Sequence, residues 1–240
     1  MIPLTAAYRL QLRNGTRFSD AAALAPYLAG LGVSHLPLSP PFTAAPGSAH
    51  GYDVVDPNAL DPALGGEVAF LDLCAALQAS GLGLILDIVP NHMGIGPDNA
   101  WWWDVLRHGR QSPHAGIFDI DFEGDADGKV VLPVLGRPLD EALDAGEIRV
   151  AGNGTELAFL DRRFPLADGS LEAAGADTAA LLAAQHYRLV PWRDGAMSRN
   201  YRRFFDIDGL AAVRVERPEV FEATHRLGPD PLARRVVHGP

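Results

Sequence analysis

At 240 residues the chain exceeds the commonest domain size of roughly 100 to 150 residues and has room for one large or two small domains. Its 48% hydrophobic and 21% charged residues are globular proportions, which exclude a disordered tail, a collagen repeat and a coiled coil. Thirty acidic residues against twenty basic ones leave a net charge of -10, which disfavours a nucleic-acid backbone as partner.

In chain order, Tyr8, Leu10 and Leu12 alternate with Arg9, Gln11 and Arg13, a period of two that predicts a strand with one polar face. Ser19 is a plausible N-cap for a helix over 21–31, with Leu24, Tyr27, Leu28 and Leu31 at helical spacing and Gly32 as its stop. The apolar run Val33 to Leu38, closed by Ser39-Pro40-Pro41, predicts a second, buried strand. Gly66 to Ser80 places Phe70, Leu73, Cys74 and Leu77 on one helical face, and Leu82 to Val89 reads as a third strand ending at Pro90-Asn91-His92. Strand, helix, strand, helix, strand is the order of a parallel sheet with helical crossovers.

Beyond His92 the rhythm changes. The stretch 94–200 is a long excursion with short apolar segments at Val130 to Leu135 and Glu147 to Val150. Helical patterning returns over 177–184 and 218–227, Pro218 suiting a first helical turn.

Cys74 is the only cysteine, which forbids an intrachain disulfide and fits a reducing, cytoplasmic setting. Lys129 is the sole lysine and Val130 follows it, so no phosphate-binding GK[ST] loop exists. No export signal is visible, and every apolar run stops short of the ~18 residues a membrane helix needs, so no membrane partner is expected. No cofactor or metal is expected either. Asp119, Asp121, Glu123, Asp125 and Asp127 imitate a calcium loop, but the twelfth position is Val130 instead of Glu, which favours a solvated acidic turn. Trp101 to Trp103 fit either a sugar platform or a loop anchored in the core, with the anchor preferred.

In parallel α/β sheets and barrels, ligands meet the loops at the carboxyl ends of strands. Two polar clusters fall there. His50, Tyr52 and Asp53, with Asp56 beyond, set an aromatic face beside a carboxylate and an imidazole, as a sugar ring requires; they equally fit a turn whose aspartates only cap backbone. Asp87 interrupts a buried strand just before Asn91 and His92, and a buried carboxylate needs a partner, most simply an arginine.

His50-Gly51-Tyr52-Asp53 followed by Asp87-Ile88-Val89-Pro90-Asn91-His92 resembles the α-amylase superfamily of (β/α)8-barrel enzymes, in which a strand ends in D-x-x-x-N-H. Tyr8 to Leu12, Ser39 to Phe42, Asp61 to Gly66, Trp101-Trp102, Phe118 to Asp121, Tyr201 to Asp206 and Val220 to His225 extend the resemblance to the malto-oligosyltrehalose synthase family within it. The resemblance implies the N-terminal part of a TIM barrel, about three strands, with a long insertion after the third. On that basis residues 1–92 form the first three β/α units, 93–200 the insertion and 201–240 a return segment with a truncated tail. It also implies an isomerase that converts the reducing-end α-1,4 linkage of a maltodextrin to an α,α-1,1 linkage by intramolecular glucosyl transfer, in trehalose biosynthesis.

His50, Tyr52, Asp53, Asn91 and His92 are then expected to bind malto-oligosaccharide. Tyr52 would stack on the sugar, His92 would bond its hydroxyls, and Asp87 would hold, as a structural residue, the arginine before the nucleophile. Retaining chemistry needs two carboxyl groups roughly 5 to 5.5 Å apart. The R-x-D-H segment that carries the nucleophile in this family is absent from the sequence. The expectation is therefore an inactive fragment whose catalytic residues lie beyond residue 240, with a missing C-terminal portion as a partner. A non-catalytic α-glucan-binding chain, or another α-amylase-type hydrolase or transferase, fits Tyr52, Asp87 and His92 as well.

Overall fold

The computed structural model describes Ile2 to Arg226, so the expected tail over 228–240 lies outside the described residues. The described residues form two compact units: one holds residues 2–94 and 215–226, the other is Ile95–Arg214. The boundaries expected at 92 and 200 thus fall at 94 and 214. The second shift has a packing cause, since Tyr201 sets its ring edge-on against buried Trp102 at 5.2 Å, within the second unit.

In the first unit, α1 (Phe18–Gly30) leads to β1 (His35–Leu38), and a hairpin of β2 (Phe42–Ala44) and β3 (Val54–Leu60) precedes α2 (Gly66–Ala79), β4 (Gly83–Leu86) and β5 (His92–Gly94). β1 pairs in parallel with β4, from His35 opposite Gly83 to Leu38 opposite Leu86. On the other side of β1 runs the N-terminal segment, also parallel, bridged at Ala7 to His35 and at Leu10 to Leu38. The three expected strands are therefore neighbours, but the first is no regular strand. Tyr8 N–H donates to His35 O at 3.1 Å, Leu10 N–H to Pro37 O at 2.9 Å and Ser39 N–H to Leu10 O at 3.0 Å. The intervening bond to the Tyr8 carbonyl is not made because Pro37 has no N–H to give.

Helix α1 has its N-cap at Arg17, two residues before Ser19, where the Asp20 carboxylate accepts from Arg17 N–H at 2.8 Å. It ends as expected at Gly32, whose φ of 81° is left-handed and whose N–H reaches Ala29 O while Val33 N–H reaches Leu28 O, a Schellman closure. Its buried face differs from the expected one. Phe18, Ala21, Ala25 and Leu28 point inward, whereas Leu24, Tyr27 and Leu31 are exposed. Small alanines let the helix lie close to the sheet, so ranking positions by side-chain size selects the wrong stripe. α2 buries the expected Phe70, Leu73, Cys74 and Leu77. These side chains join Leu12, Leu36, Leu38 and Leu84 in one core, with Phe18 edge-on to Phe70 at 5.4 Å. The β2–β3 hairpin was not legible in the sequence: Pro57 stands mid-strand, where the register shifts.

The second unit runs through α3 (Ala100–His108), β6 (Val130–Leu135), α4 (Leu139–Asp144), a meander of β7 (Ile148–Ala151), β8 (Glu156–Phe159) and β9 (Arg162–Pro165), α5 (Ser170–Ala174), α6 (Thr178–Ala183), β10 (Tyr187–Pro191), α7 (Gly195–Ser198), β11 (Arg203–Phe204) and β12 (Ile207–Ala212). Trp102 is its anchor, fully buried between Phe118 and Tyr201. The acidic stretch is not simply solvated. Asp125 has a fully buried carboxylate that pairs with Arg188 and accepts from the N–H groups of Asp127 and Lys129, and Asp119 pairs with Arg202 at 3.0 Å. The chain re-enters the first unit as α8 (Pro218–Thr224), with Pro218 in its first turn. There the Asn58 amide of β3 donates to Ala223 O at 2.8 Å and accepts from Arg226 N–H at 3.1 Å.

Candidate functional site

Three parallel segments of the first unit end on one side, and the polar side chains of the first cluster meet there. Tyr52 is the centre. Its hydroxyl donates to Asp87 Oδ2 at 2.6 Å and accepts from Arg9 Nη2 at 2.9 Å, while Arg9 Nη2 stands 3.5 Å from the same Asp87 oxygen. Gln11 Oε1 accepts from Arg9 Nη1 at 3.1 Å and fixes the guanidinium plane. Asp87, expected to be buried, has a side chain 34% exposed, and the arginine it meets is Arg9 of the N-terminal segment. Position 87 lies one residue past β4, where the chain leaves the core, so its carboxylate opens onto the strand ends. Hydrogen bonding to Asp87 holds the Tyr52 phenol above its ordinary pKa, with burial adding to the effect and Arg9 opposing it.

The loop carrying Tyr52 is tied down from beneath. His92 is buried, and Nε2 donates to Tyr52 O at 2.9 Å, while Nδ1 lies 2.9 Å from Asn91 Oδ1. Burial lowers the His92 pKa against smaller opposing effects of the Tyr52 carbonyl and Asp53, so the ring is neutral at pH 7. Nδ1 faces Asn91 Oδ1, and because a neutral ring that donates through Nε2 accepts at Nδ1, the Asn91 amide is assigned flipped, with Nδ2 toward the ring. His92, expected to bond sugar hydroxyls, thus has both ring nitrogens engaged by protein and serves to hold the Tyr52 loop. Asn91 is exposed and its amide is turned to that ring.

His50 is exposed; its Nδ1 accepts from Tyr52 N–H at 3.0 Å, and its ring lies 6.1 Å from that of Tyr52. Asp53 accepts from Ser48 Oγ at 2.5 Å and stands 3.8 Å from His50 Nδ1, so it closes the turn. Asp56 lies on β3 and caps Asn58 N–H at 2.8 Å, a backbone role.

Under the same loop a deeper knot is buried. Arg13 Nη1 meets Asp61 Oδ2 at 2.7 Å, both side chains being 6% exposed, and Arg13 Nη2 donates to Phe42 O at 3.2 Å. Gly51 sits directly above it: a Cβ there would lie 2.7 Å from Arg13 Nε and 3.0 Å from Pro40 O, and its φ is 82°. Sequence reasoning missed Arg9, Gln11, Arg13 and Ser48 as members of the site. The signal was present for three of them, since Arg9, Gln11 and Arg13 are the polar face of the alternating N-terminal segment. Among the described residues no group of three or more His, Cys, Asp or Glu side chains is arranged to hold a metal.

The alpha amylase catalytic domain family matches residues 23–129. A putative maltooligosyl trehalose synthase of Mycobacterium tuberculosis is 47% identical over 230 residues, covering 93% of this chain and 28% of that protein. The solved structure of maltooligosyltrehalose synthase from Arthrobacter ramosus superposes with a TM-score of 0.89 at 43% identity, over 98% of this chain and 30% of that one. The chain is similar to malto-oligosyltrehalose synthases along nearly its whole length, and to the α-amylase catalytic domain over residues 23–129. An intracellular maltogenic amylase of Bacillus subtilis, 38% identical over 94 residues, is similar over a shorter stretch. The α-amylase superfamily fold explains why the first unit presents parallel strands between helices, as part of a (β/α)8 barrel. The chain spans less than a third of the length of the synthases it matches.

Proposed function

We propose that the first unit forms the glucan-binding side of a malto-oligosyltrehalose synthase, which turns the reducing-end α-1,4 linkage of a maltodextrin into an α,α-1,1 linkage by intramolecular glucosyl transfer. The observation that carries this reading is the Tyr52 ring, pinned at the strand ends by Asp87 and Arg9 and by His92 under its backbone. A tyrosine fixed at both ends offers a preorganised face for the CH side of a glucose ring, with little rotamer entropy left to lose. Exposed His50 and Asn91 stand beside it as hydroxyl partners. The nucleophile and acid/base of the double displacement come from polypeptide outside these 240 residues, which contain no R-x-D-H segment. A cytoplasmic setting accords with the single, buried cysteine.

A non-catalytic α-glucan-binding chain is the second reading, favoured by the same missing segment. Both are tested by titrating the chain with maltopentaose in a calorimeter while following reducing ends over time. Saturable binding lost in Tyr52→Ala, with no loss of reducing ends, is the expected result. No binding by the parent chain overturns the glucan site, and turnover that vanishes in the variant places the acids within these residues.

A further inference from the structure

The second unit contains a cavity of ≈ 140 Å³ walled by Trp102, Trp103, Tyr201, Arg162 and Arg199, with Asp208 at its edge. In a chain of net charge -10 its electrostatics run the other way. Asp208 Oδ1 already accepts from Arg199 Nη2 at 2.7 Å and from Arg203 Nη1 at 2.5 Å, so its charge is spent. Among the described residues Arg162 has no carboxylate partner. The Arg199 side chain is only 9% exposed, yet its Nε–H is buried with no acceptor. That donor, like Arg13 Nε in the first unit, has no accessible surface of its own; what meets the space is an excess of cation, Arg162 and Arg163 joining Arg199 on walls that carry the one carboxylate of Asp208. Tyr201, whose phenol is kept protonated by burial, adds an O–H at the same wall, close enough to feel both arginines. The space is well below the roughly 300 to 1,000 Å³ of ordinary organic-ligand pockets, so an oligosaccharide does not fit and a ligand of few atoms does.

We propose that this cavity is a binding site for a small oxyanion, held by the edge of the Arg199 guanidinium, by Arg162 and by the Tyr201 hydroxyl against the indole walls. Guanidinium pairs with the two oxygens of a carboxylate or of a phosphate by the same forked geometry. The cavity walls all belong to the second unit, and the assignment does not rest on the glucan reading of Tyr52.

The test is an NMR titration of the 240-residue chain with sodium phosphate and, separately, sodium acetate, at constant ionic strength balanced by sodium chloride. The indole N–H signals of Trp102 and Trp103 should shift saturably with at least one of the two anions, while those of Trp101 and Trp192, which do not line the cavity, should stay. Arg162 is exposed, so Arg162→Ala leaves the fold intact and should weaken the binding tenfold or more; Arg199→Lys, which keeps the charge and loses the fork, should weaken it as well. Shifts that do not saturate with either anion, that chloride reproduces, or that persist at full affinity in Arg162→Ala overturn the site.

Discussion

The Tyr52 hydroxyl sits 2.6 Å from Asp87 Oδ2, a bond that joins the loop after β2 to the end of β4 across 35 residues of sequence. Because the carboxylate favours the protonated phenol, Asp87→Asn should lower the Tyr52 pKa toward its ordinary value of about 10, and Arg9→Met should raise it further. Carbon-13 NMR of labelled tyrosine across an alkaline titration reads both. The sign for stability follows: a folded pKa above the unfolded one gives a contribution that is full below about pH 10 and disappears as pH rises through the folded value. An unchanged Tyr52 titration in Asp87→Asn would refute the pairing.

His92 titrates in the opposite sense. Burial depresses its pKa below the usual 6.5 or so, so stability is full above that pH and is lost as pH falls through the folded value. His186 is also depressed, by burial and then by His108 and Lys129, and contributes a similar slope. Thermal midpoints between pH 5 and 8 should therefore fall less steeply on acidification in His92→Gln than in the parent, and least in the double variant with His186→Gln. Parallel slopes in all three would contradict it.

Removing one partner of the buried Arg13–Asp61 pair strands a charge, so Arg13→Met should cost about 3 to 5 kcal/mol in urea unfolding of the first unit. Asp61 also accepts from the N–H groups of Ala44 and Ala63, so Arg13→Met combined with Asp61→Asn should cost less than the sum of the single changes. Gly51→Ala should destabilise in the same assay, because the methyl would press on Arg13 in a left-handed backbone.

Cys74 is packed in the core on α2, and burial pushes its thiol up to about 11. Thiolate is the reactive species, so a disulfide reagent at pH 8 should modify the native chain at least tenfold more slowly than the urea-unfolded chain. Equal rates would show that the α1–α2 layer opens freely.

The parallel order of the first unit was legible because apolar runs of strand length alternate with a helix such as α2, whose Phe70, Leu73, Cys74 and Leu77 keep one period. The face of α1 was not, because Ala21 and Ala25 do the packing and carry little hydrophobic signal. Of the candidate site, His50, Tyr52, Asp53, Asp87, Asn91 and His92 do gather, and spacing before a strand end was enough to select them. Their division of labour was hidden: that Arg9 is the partner of Asp87, and that His92 supports a backbone carbonyl, depends on contacts spanning 78 and 40 residues.

The donor that Pro37 lacks leaves one rung blank beside β1. In the present register its blank position faces the Tyr8 carbonyl, and the neighbouring rungs at His35 and Ser39 are filled. Sliding the N-terminal segment by two residues would keep its inward side chains inward and would only move the blank opposite Ala6 or Leu10, at no further loss of bonds, because a proline is silent in every register. The height at which Arg9 arrives beside Asp87 is set instead by two serine hydroxyls flanking β1, Ser39 Oγ accepting from Leu12 N–H at 2.8 Å and Ser34 Oγ from Ala6 N–H at 3.0 Å, acceptors that a slipped segment would meet with the wrong residues.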